Sequence, residues 1–378
     1  MKSCFYLFCC LCLLSACHKT NLSGSIQVDL TKTEEAINYS SFVDSTVIVT
    51  FELNDSLPIN GISGLFFDEG KLFVKDSGQE GILVFDEKSK QLLVRLNAFG
   101  EGPEEIKRIG AWCIDSYQKH ICIFDKGDMK LKEYDYSGNY ISSLPMEYFL
   151  LDMVKLEKED MVCFYPIYAG HEQPEGVWLD NMGHFKKSLS SHVTESCRFH
   201  YFPMMYNWNG SSAYYYDRNW DELFLVTSDT LRPMYTFDVK QAIPLSVKGM
   251  RDLTPTELDG RSIVHQFACS DSFILFSFHT FHQSDMMSKD ITWMLFDKRT
   301  GNVSVSKFLR NDLGVGDKIK GYALYYKDDH TWIRVDDTLD SVIRLEYLYL
   351  YGAQNETYIE GWEKKTSNLL IYKRLCKM

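Results

Sequence analysis

Four times along the chain, an apolar strand-like segment ends in an acidic turn and is followed at a fixed offset by a second strand-like segment. Phe73-Val74-Lys75-Asp76 with Val84-Phe85-Asp86 aligns without a gap on Ile121-Cys122-Ile123-Phe124-Asp125 with Glu133-Tyr134-Asp135. Ala213-Tyr214-Tyr215-Tyr216-Asp217 with Leu223-Phe224-Leu225-Val226-Thr227 and Trp332-Ile333-Arg334-Val335-Asp336 with Val342-Ile343-Arg344-Leu345-Glu346 repeat it. The halves lie about ten residues apart, and copies recur at about 45 to 50 residues where no insertion intervenes. That period suits one four-stranded antiparallel sheet in a radial array.

A repeat running through nearly all of the 378 residues predicts one closed array in place of two average domains. Apolar residues at 45% and aromatics at 14% supply a sizeable core and exclude a disordered chain. Basic residues are scattered, and the formal charge of -12 repels phosphate backbones, so no nucleic-acid partner is expected.

The strand pattern predicts an all-β, six-bladed β-propeller of four-stranded antiparallel blades, closed by N- and C-terminal strands. Blade one is read as Ile62 to Phe67, Leu72 to Lys75, Ile82 to Asp86 and Leu92 to Asn97, divided by Gly- and Ser-containing turns. Blade two spans Trp112 to Leu144, blade three Met153 to Leu189, and blade four Met204 to Phe237. Blade five spans Ser262 to Leu309 with a loop insertion over Thr280 to Lys289, and blade six runs from Lys320 to Tyr347. A ring needs a seam, and Thr46 to Leu53 is placed beside the terminal strand Leu369 to Leu375.

The leader Met1-Lys2, an apolar stretch from Phe5 to Leu14, and Leu14-Ser15-Ala16-Cys17 resemble a bacterial lipobox. This implies a signal peptide over 1–16, acylation of Cys17, a lipidated tether over 17–39 with a short helix at Thr31 to Asn38, and the propeller over 40–378. The only membrane contact expected is then the lipid anchor, two or three acyl chains being enough for durable attachment. His18-Lys19-Thr20-Asn21 carries no acidic export cluster, which favours the periplasmic face of the outer membrane over the cell surface.

Together with Gly81-Ile82-Leu83-Val84-Phe85-Asp86, Gly100-Glu101-Gly102-Pro103-Glu104-Glu105 and Asn368-Leu369-Leu370-Ile371-Tyr372-Lys373, the leader resembles the six-bladed, NHL-like propeller lipoproteins of Bacteroides and relatives. That family is mostly of unknown function. Its G-x-G-P-G-E-Y-like loop departs here at Glu104 and Ile106, which favours a structural role for the loop.

Six cysteines follow the leader, none in C-x-x-C spacing, so no zinc-ribbon, thioredoxin-like or haem motif is present. Cys113 and Cys122 lie at mirrored distances from the Tyr117-Gln118 turn, which accommodates either a cross-strand disulfide or two buried thiols. The repeated Asp76, Asp125, Asp217 and Asp336 read as turn residues accepting backbone N–H groups. His279, His282 and Asp285 have ligand-like composition without a spacing that defines a metal geometry. No metal, no cofactor and no catalytic set is expected, and no nucleophile elbow occurs.

Aromatic side chains on loops offer the binding surface: Tyr201, Tyr206, Trp208 and Trp220 near blade four, and Phe278 and Phe281 with His279 and His282 beside the blade-five insertion. Inter-blade packing is the competing use for each. The function expected is a lipid-anchored, non-enzymatic binding or scaffold module for an envelope protein or glycan. The alternatives are a carbohydrate hydrolase or lyase working in the propeller channel, and a purely structural brace.

Overall fold

The computed structural model describes residues 25–42, 45–52, 62–76, 81–86, 88–89, 91–97, 100, 102–156, 160–165, 174–180, 183–189, 204–208, 212–218, 221–244, 253–270, 272–307, 309–311, 322–327, 330–335, 339–343, 347–351 and 369–376. β1 (Ile26–Val28), β2 (Ile37–Asn38) and β3 (Ser45–Glu52) come first, with a 3-10 turn at Tyr39–Ser41. Blade one is β4 (Ile62–Asp68), β5 (Lys71–Asp76), β6 (Gly81–Asp86) and β7 (Leu92–Asn97). Blade two is β8 (Ile109–Asp115), β9 (His120–Asp125), β10 (Lys130–Asp135) and β11 (Tyr140–Pro145). Blade three is β12 (Asp152–Lys155), β13 (Met161–Phe164), β14 (Gly176–Leu179) and β15 (Phe185–Leu189). Blade four is β16 (Met204–Trp208), β17 (Ser212–Asp217), β18 (Glu222–Val226) and β19 (Leu231–Val239). After the short helix α1 (Pro255–Leu258), blade five is β20 (Ser262–Cys269), β21 (Phe273–His282), β22 (Asp285–Asp297) and β23 (Val303–Ser306).

Middle strands of blades two and three are buried along most or all of their length: every residue of β13 and β14, and all of β9 after His120. A strand with one solvated face would alternate; continuous burial means that another sheet covers each face. Outer strands β7, β11 and β15 do alternate or lie open to solvent. The first strands β8, β12, β16 and β20 neighbour one another from blade to blade, which sets the sheets radially about a shared axis. The apolar clusters accordingly sit between blades. One joins blades one to three, a second holds Phe164 and Trp178 of blade three against Tyr215 and Val226 of blade four, and a third joins blades four and five.

The fold is an all-β propeller with antiparallel four-stranded blades, but it has five such blades, and the expected six are corrected on this point. The remaining strands form one sheet of eight in the order β2, β24 (Leu309–Asn311), β25 (Tyr322–Lys327), β26 (His330–Val335), β27 (Leu339–Ile343), β28 (Tyr347–Tyr351), β29 (Leu369–Cys376), β3. The excess arises because strands from both chain ends continue the pairing past the fourth strand. Residues Ser45–Glu52 and Leu369–Cys376 pair antiparallel along eight positions, so the chain termini are joined as their patterning suggests.

Part of the segment read as a tether is folded. β1 adds parallel to the outer edge of blade four, Glu34 bridges Ser306 on the edge of blade five, and β2 pairs parallel with β24. Its Val28, Leu30, Ile37 and Phe42 enter the core between blades four and five. The helix expected at Thr31 to Asn38 is replaced by a turn and β2, because these apolar residues are used in pairing and packing along blade edges. The insertion at Thr280 to Lys289 is likewise no loop: β21 and β22 extend as a long hairpin, with Thr280 opposite Asp290 and His282 opposite Asp285. Cys113 and Cys122 do face each other in register, as free buried thiols.

Of the four repeated aspartates, Asp125 accepts backbone N–H groups as expected, and Asp336 lies outside the described residues. Other hairpin aspartates have the same use. Asp115 accepts from Tyr117 and Gln118 N–H, Asp86 from Ser89, Asp135 from Ser137 and Asn139, and Asp180 from His184. Gly138 and Gly183 close two of these hairpins at φ 84° and 78°, a region costly for a side-chain-bearing residue. Asp125 goes further. It accepts from the N–H groups of Lys107, Arg108 and Gly127 and from the Lys132 ammonium at 2.8 Å, with both side chains fully buried. Lys132 also donates to the Glu105 carbonyl and to Asp128, tying the Gly100–Glu105 loop to blade two.

Burial alone would raise the Asp125 pKa, but Lys132 and the backbone donors outweigh it and hold the carboxyl below its usual range. A depressed carboxylate stabilises the fold above the unfolded pKa, near 4, and that contribution is lost as pH falls through the folded value. Lys132→Met leaves the buried carboxylate uncompensated, so a loss of about 3 kcal/mol in urea unfolding at pH 7 is expected, with a shallower acid limb than in the wild type.

Candidate functional site: a cleft between blades three and four

In blade two the position seven residues after Asp125 is Lys132, directly across the hairpin from Ile123. In blade four the same offset from Asp217 leads to Phe224, directly across from Tyr215. The first and fourth copies carry Leu83 and Ile343 at this offset, so the buried cation is particular to blade two and the aromatic ring to blade four. Beside that ring the blades part to leave a cavity of about 310 Å³, lined by Trp178, Lys187, Ser188, Leu189, Tyr215, Asp217, Phe224, Thr230 and Leu231. It is open to solvent, at the small end of the range for small-molecule sites.

Blade three supplies one wall. Trp178 on β14 and Lys187 on β15 are cross-strand partners, and the Lys187 ammonium sits 4.3 Å above the centre of the Trp178 ring. Such an arrangement attracts through the ring quadrupole while leaving the other faces of the ammonium available. The Trp178 indole N–H donates to the Thr227 carbonyl of blade four at 2.8 Å, so one side chain both lines the cleft and clamps the two blades. Ser188 and Thr230 are exposed at the rim, with Leu189 and Leu231 between them.

Blade four supplies the floor. The Tyr215 ring stacks on Phe164 at 4.9 Å and 14°, and meets Phe224 at 5.9 Å on the β18 side. Its hydroxyl donates to Oε1 of Glu175, which is 1% exposed and whose Oε2 has no hydrogen-bond partner among the described residues. Burial, joined by the charge of Asp217 and only partly offset by the Tyr215 hydrogen bond, pushes the Glu175 carboxyl up to about 7. Glu175 thus lies behind Tyr215, which lines the cleft together with Asp217.

Of the residues expected to bind, Phe278, Phe281, His279 and His282 do not line this cleft. Tyr201 and Trp220 lie outside the described residues, as does Cys17. Tyr206 and Trp208 belong to β16, paired with Tyr214 and Ser212. Phe278 and Phe281 are 2% and 5% exposed, the first packed by Phe276 and the second by Ile243 and Leu258, so both rings serve packing. The His279 ring stacks on Phe281, while His282 pairs with Asp290 at 3.3 Å, and Asp290 also binds Lys307. Different partners hold the two imidazoles, and among the described residues no group of three or more His, Cys, Asp or Glu side chains could hold a metal ion. The Gly100–Glu105 loop folds on itself, with Gly102 N–H donating to Glu105 Oε2 at 2.8 Å and the Tyr134 hydroxyl donating to the Glu104 carbonyl. These contacts are structural.

Glu175, Trp178 and Lys187 escaped the sequence reading because their partners come from another strand or blade. One available signal was the third motif copy itself, in which aromatic Phe224 stands where the other copies have Leu83, Lys132 and Ile343.

A raised carboxyl pKa opposes folding as pH rises. Unfolded, Glu175 ionises near 4.5; folded, it resists to about 7, so stability falls across that window and stays lower above it. Calorimetry of Glu175→Gln against the wild type should show the variant gaining in relative stability from pH 5 to pH 8, by up to about 3 kcal/mol.

Comparison with solved structures finds the same fold in proteins of low identity. A protein from Bacteroides fragilis described as exported superposes with a TM-score of 0.64 at 13% identity, over 94% of this chain and 100% of that one. A member of the DUF4221 family from Bacteroides vulgatus gives 0.53 at 12% identity, over 88% and 97%. No curated protein matches the sequence. A family model, that of the domain of unknown function DUF4934, matches residues 25–342, from the β1 strap into the last sheet, and the chain belongs to that family.

Proposed function

We propose that the protein is an exported, lipid-anchored propeller that binds a glycan or protein partner without transforming it, through the cleft between blades three and four. The observation that carries this reading is the cleft itself, where aromatic and aliphatic walls converge with Lys187, Ser188, Thr230 and Asp217. Similarity in fold to a Bacteroides protein described as exported supports location in the envelope, together with the leader and the Leu14-Ser15-Ala16-Cys17 motif. Among the described residues no helix is long and apolar enough to cross a membrane, and acylation of Cys17 would anchor the chain without one.

A second reading, glycoside cleavage, draws on Glu175, which is protonated near neutrality beside the charged Asp217. It requires turnover that disappears in Asp217→Asn. The binding reading requires none.

Ser188 is exposed at the cleft mouth, so Ser188→Trp should fill the opening and leave the core alone. On a glycan array and in pull-downs from envelope extract, the wild type is expected to give hits that Ser188→Trp loses at unchanged thermal stability. Hits that survive the substitution would remove the cleft from the function. Labelling cells with a clickable fatty acid tests the anchor: Cys17→Ala should lose both the label and membrane fractionation.

A further inference from the structure

Lys187 is placed differently from its neighbours in the chain. Lys186 reaches Asp160 at 2.8 Å, whereas the contact that holds the Lys187 ammonium is the Trp178 ring. A ring face positions a cation and does not neutralise it. The other charged side chain lining the cleft, Asp217, lies on the floor and is 4% exposed, while Lys187 stands half-buried on the wall. A ligand entering the cleft therefore meets a positive rim and two hydroxyls, Ser188 and Thr230, before it meets a carboxylate.

Resting on the reading of the cleft as the ligand site, we propose that it takes an acidic sugar of the hexuronate class, its carboxylate against Lys187. Its hydroxyls face Ser188, Thr230 and Asp217, and its C–H surface lies against Leu189, Phe224 and Leu231. The volume, about 310 Å³, suits one ring and not an extended chain. A wholly apolar ligand would strip water from the Lys187 ammonium and return no hydrogen bond. A neutral sugar would satisfy the hydroxyls and leave Lys187 without a counter-charge. A phosphate, carrying more than one negative charge, would face a single lysine with Asp217 behind it. A monoanionic ring bearing hydroxyls meets each group with its complement.

The test uses glucuronate and galacturonate as probes, with glucose and galactose as neutral counterparts, in saturation-transfer NMR and calorimetry at low salt. The wild type should prefer a uronate over its neutral counterpart by about tenfold or more, the scale of one charge-assisted contact. Lys187→Met should lose that preference with its melting temperature kept, Lys187→Arg should retain it, and added salt should weaken it. Equal binding of neutral and acidic sugars, unaffected by Lys187→Met, would overturn the charge selection and leave the cleft as a sugar site. No binding of any probe, while the array hits remain sensitive to Ser188→Trp, would overturn the sugar class alone. Silence in both experiments would take down the binding reading as well.

Discussion

Blades two, three and four of this protein are covered on both faces by neighbouring sheets, and the architecture follows from that. A middle strand such as β13 or β14 cannot alternate apolar and polar residues, because neither side meets water. Contact between blades is made by large flat side chains, as where Phe164 stacks on Tyr215 across the boundary of blades three and four. The polar groups that such packing traps need partners inside the protein, and the fold supplies them locally. Asp125 with Lys132 in blade two is the most complete case, a buried ion pair whose remaining acceptor capacity is met by backbone N–H groups.

The cleft marks where that rule is relaxed. Where blade two has Lys132, blade one Leu83 and the fourth copy Ile343, blade four has Phe224, and the space beside it is bordered by aromatic rings. Glu175, held by Tyr215 through one oxygen only, is kept neutral up to about pH 7 by the same exclusion of water. An unpartnered buried carboxyl oxygen on Glu175 next to a cavity is why this boundary, among the described ones, reads as a site.

Outer edges obey a second constraint. A sheet edge left bare is a template for unwanted pairing, and blades four and five have theirs engaged by the strap of residues 26–38. The strap is polar enough to pass for a tether in sequence. Its few apolar residues, Val28, Leu30 and Ile37, are spaced by the geometry of the edges they cross, which follows neither a helical nor a strand period. The same pairing at edges makes the last sheet one of eight strands, so that counting repeats overestimates the number of four-stranded blades.

What the sequence determined by itself was most of what short-range pattern sets: the strands of the five blades, most turns between them, Asp125 as an acceptor of backbone N–H groups, and the joining of Thr46 to Leu53 with the terminal strand. These rest on hydrogen bonds and side-chain alternation within a hairpin or along one strand, where neighbours in space are near in sequence or share an unmistakable period. Tertiary structure alone decided where the strap lies, that Phe278 and Phe281 are packing residues, and that Trp178, Lys187, Tyr215 and Glu175 meet. Those outcomes depend on which sheets face each other and how closely, and the Trp178 bond to Thr227 shows the reason: its two ends are 49 residues apart and belong to different blades. No local pattern encodes that distance, since it is fixed by the packing of two complete sheets.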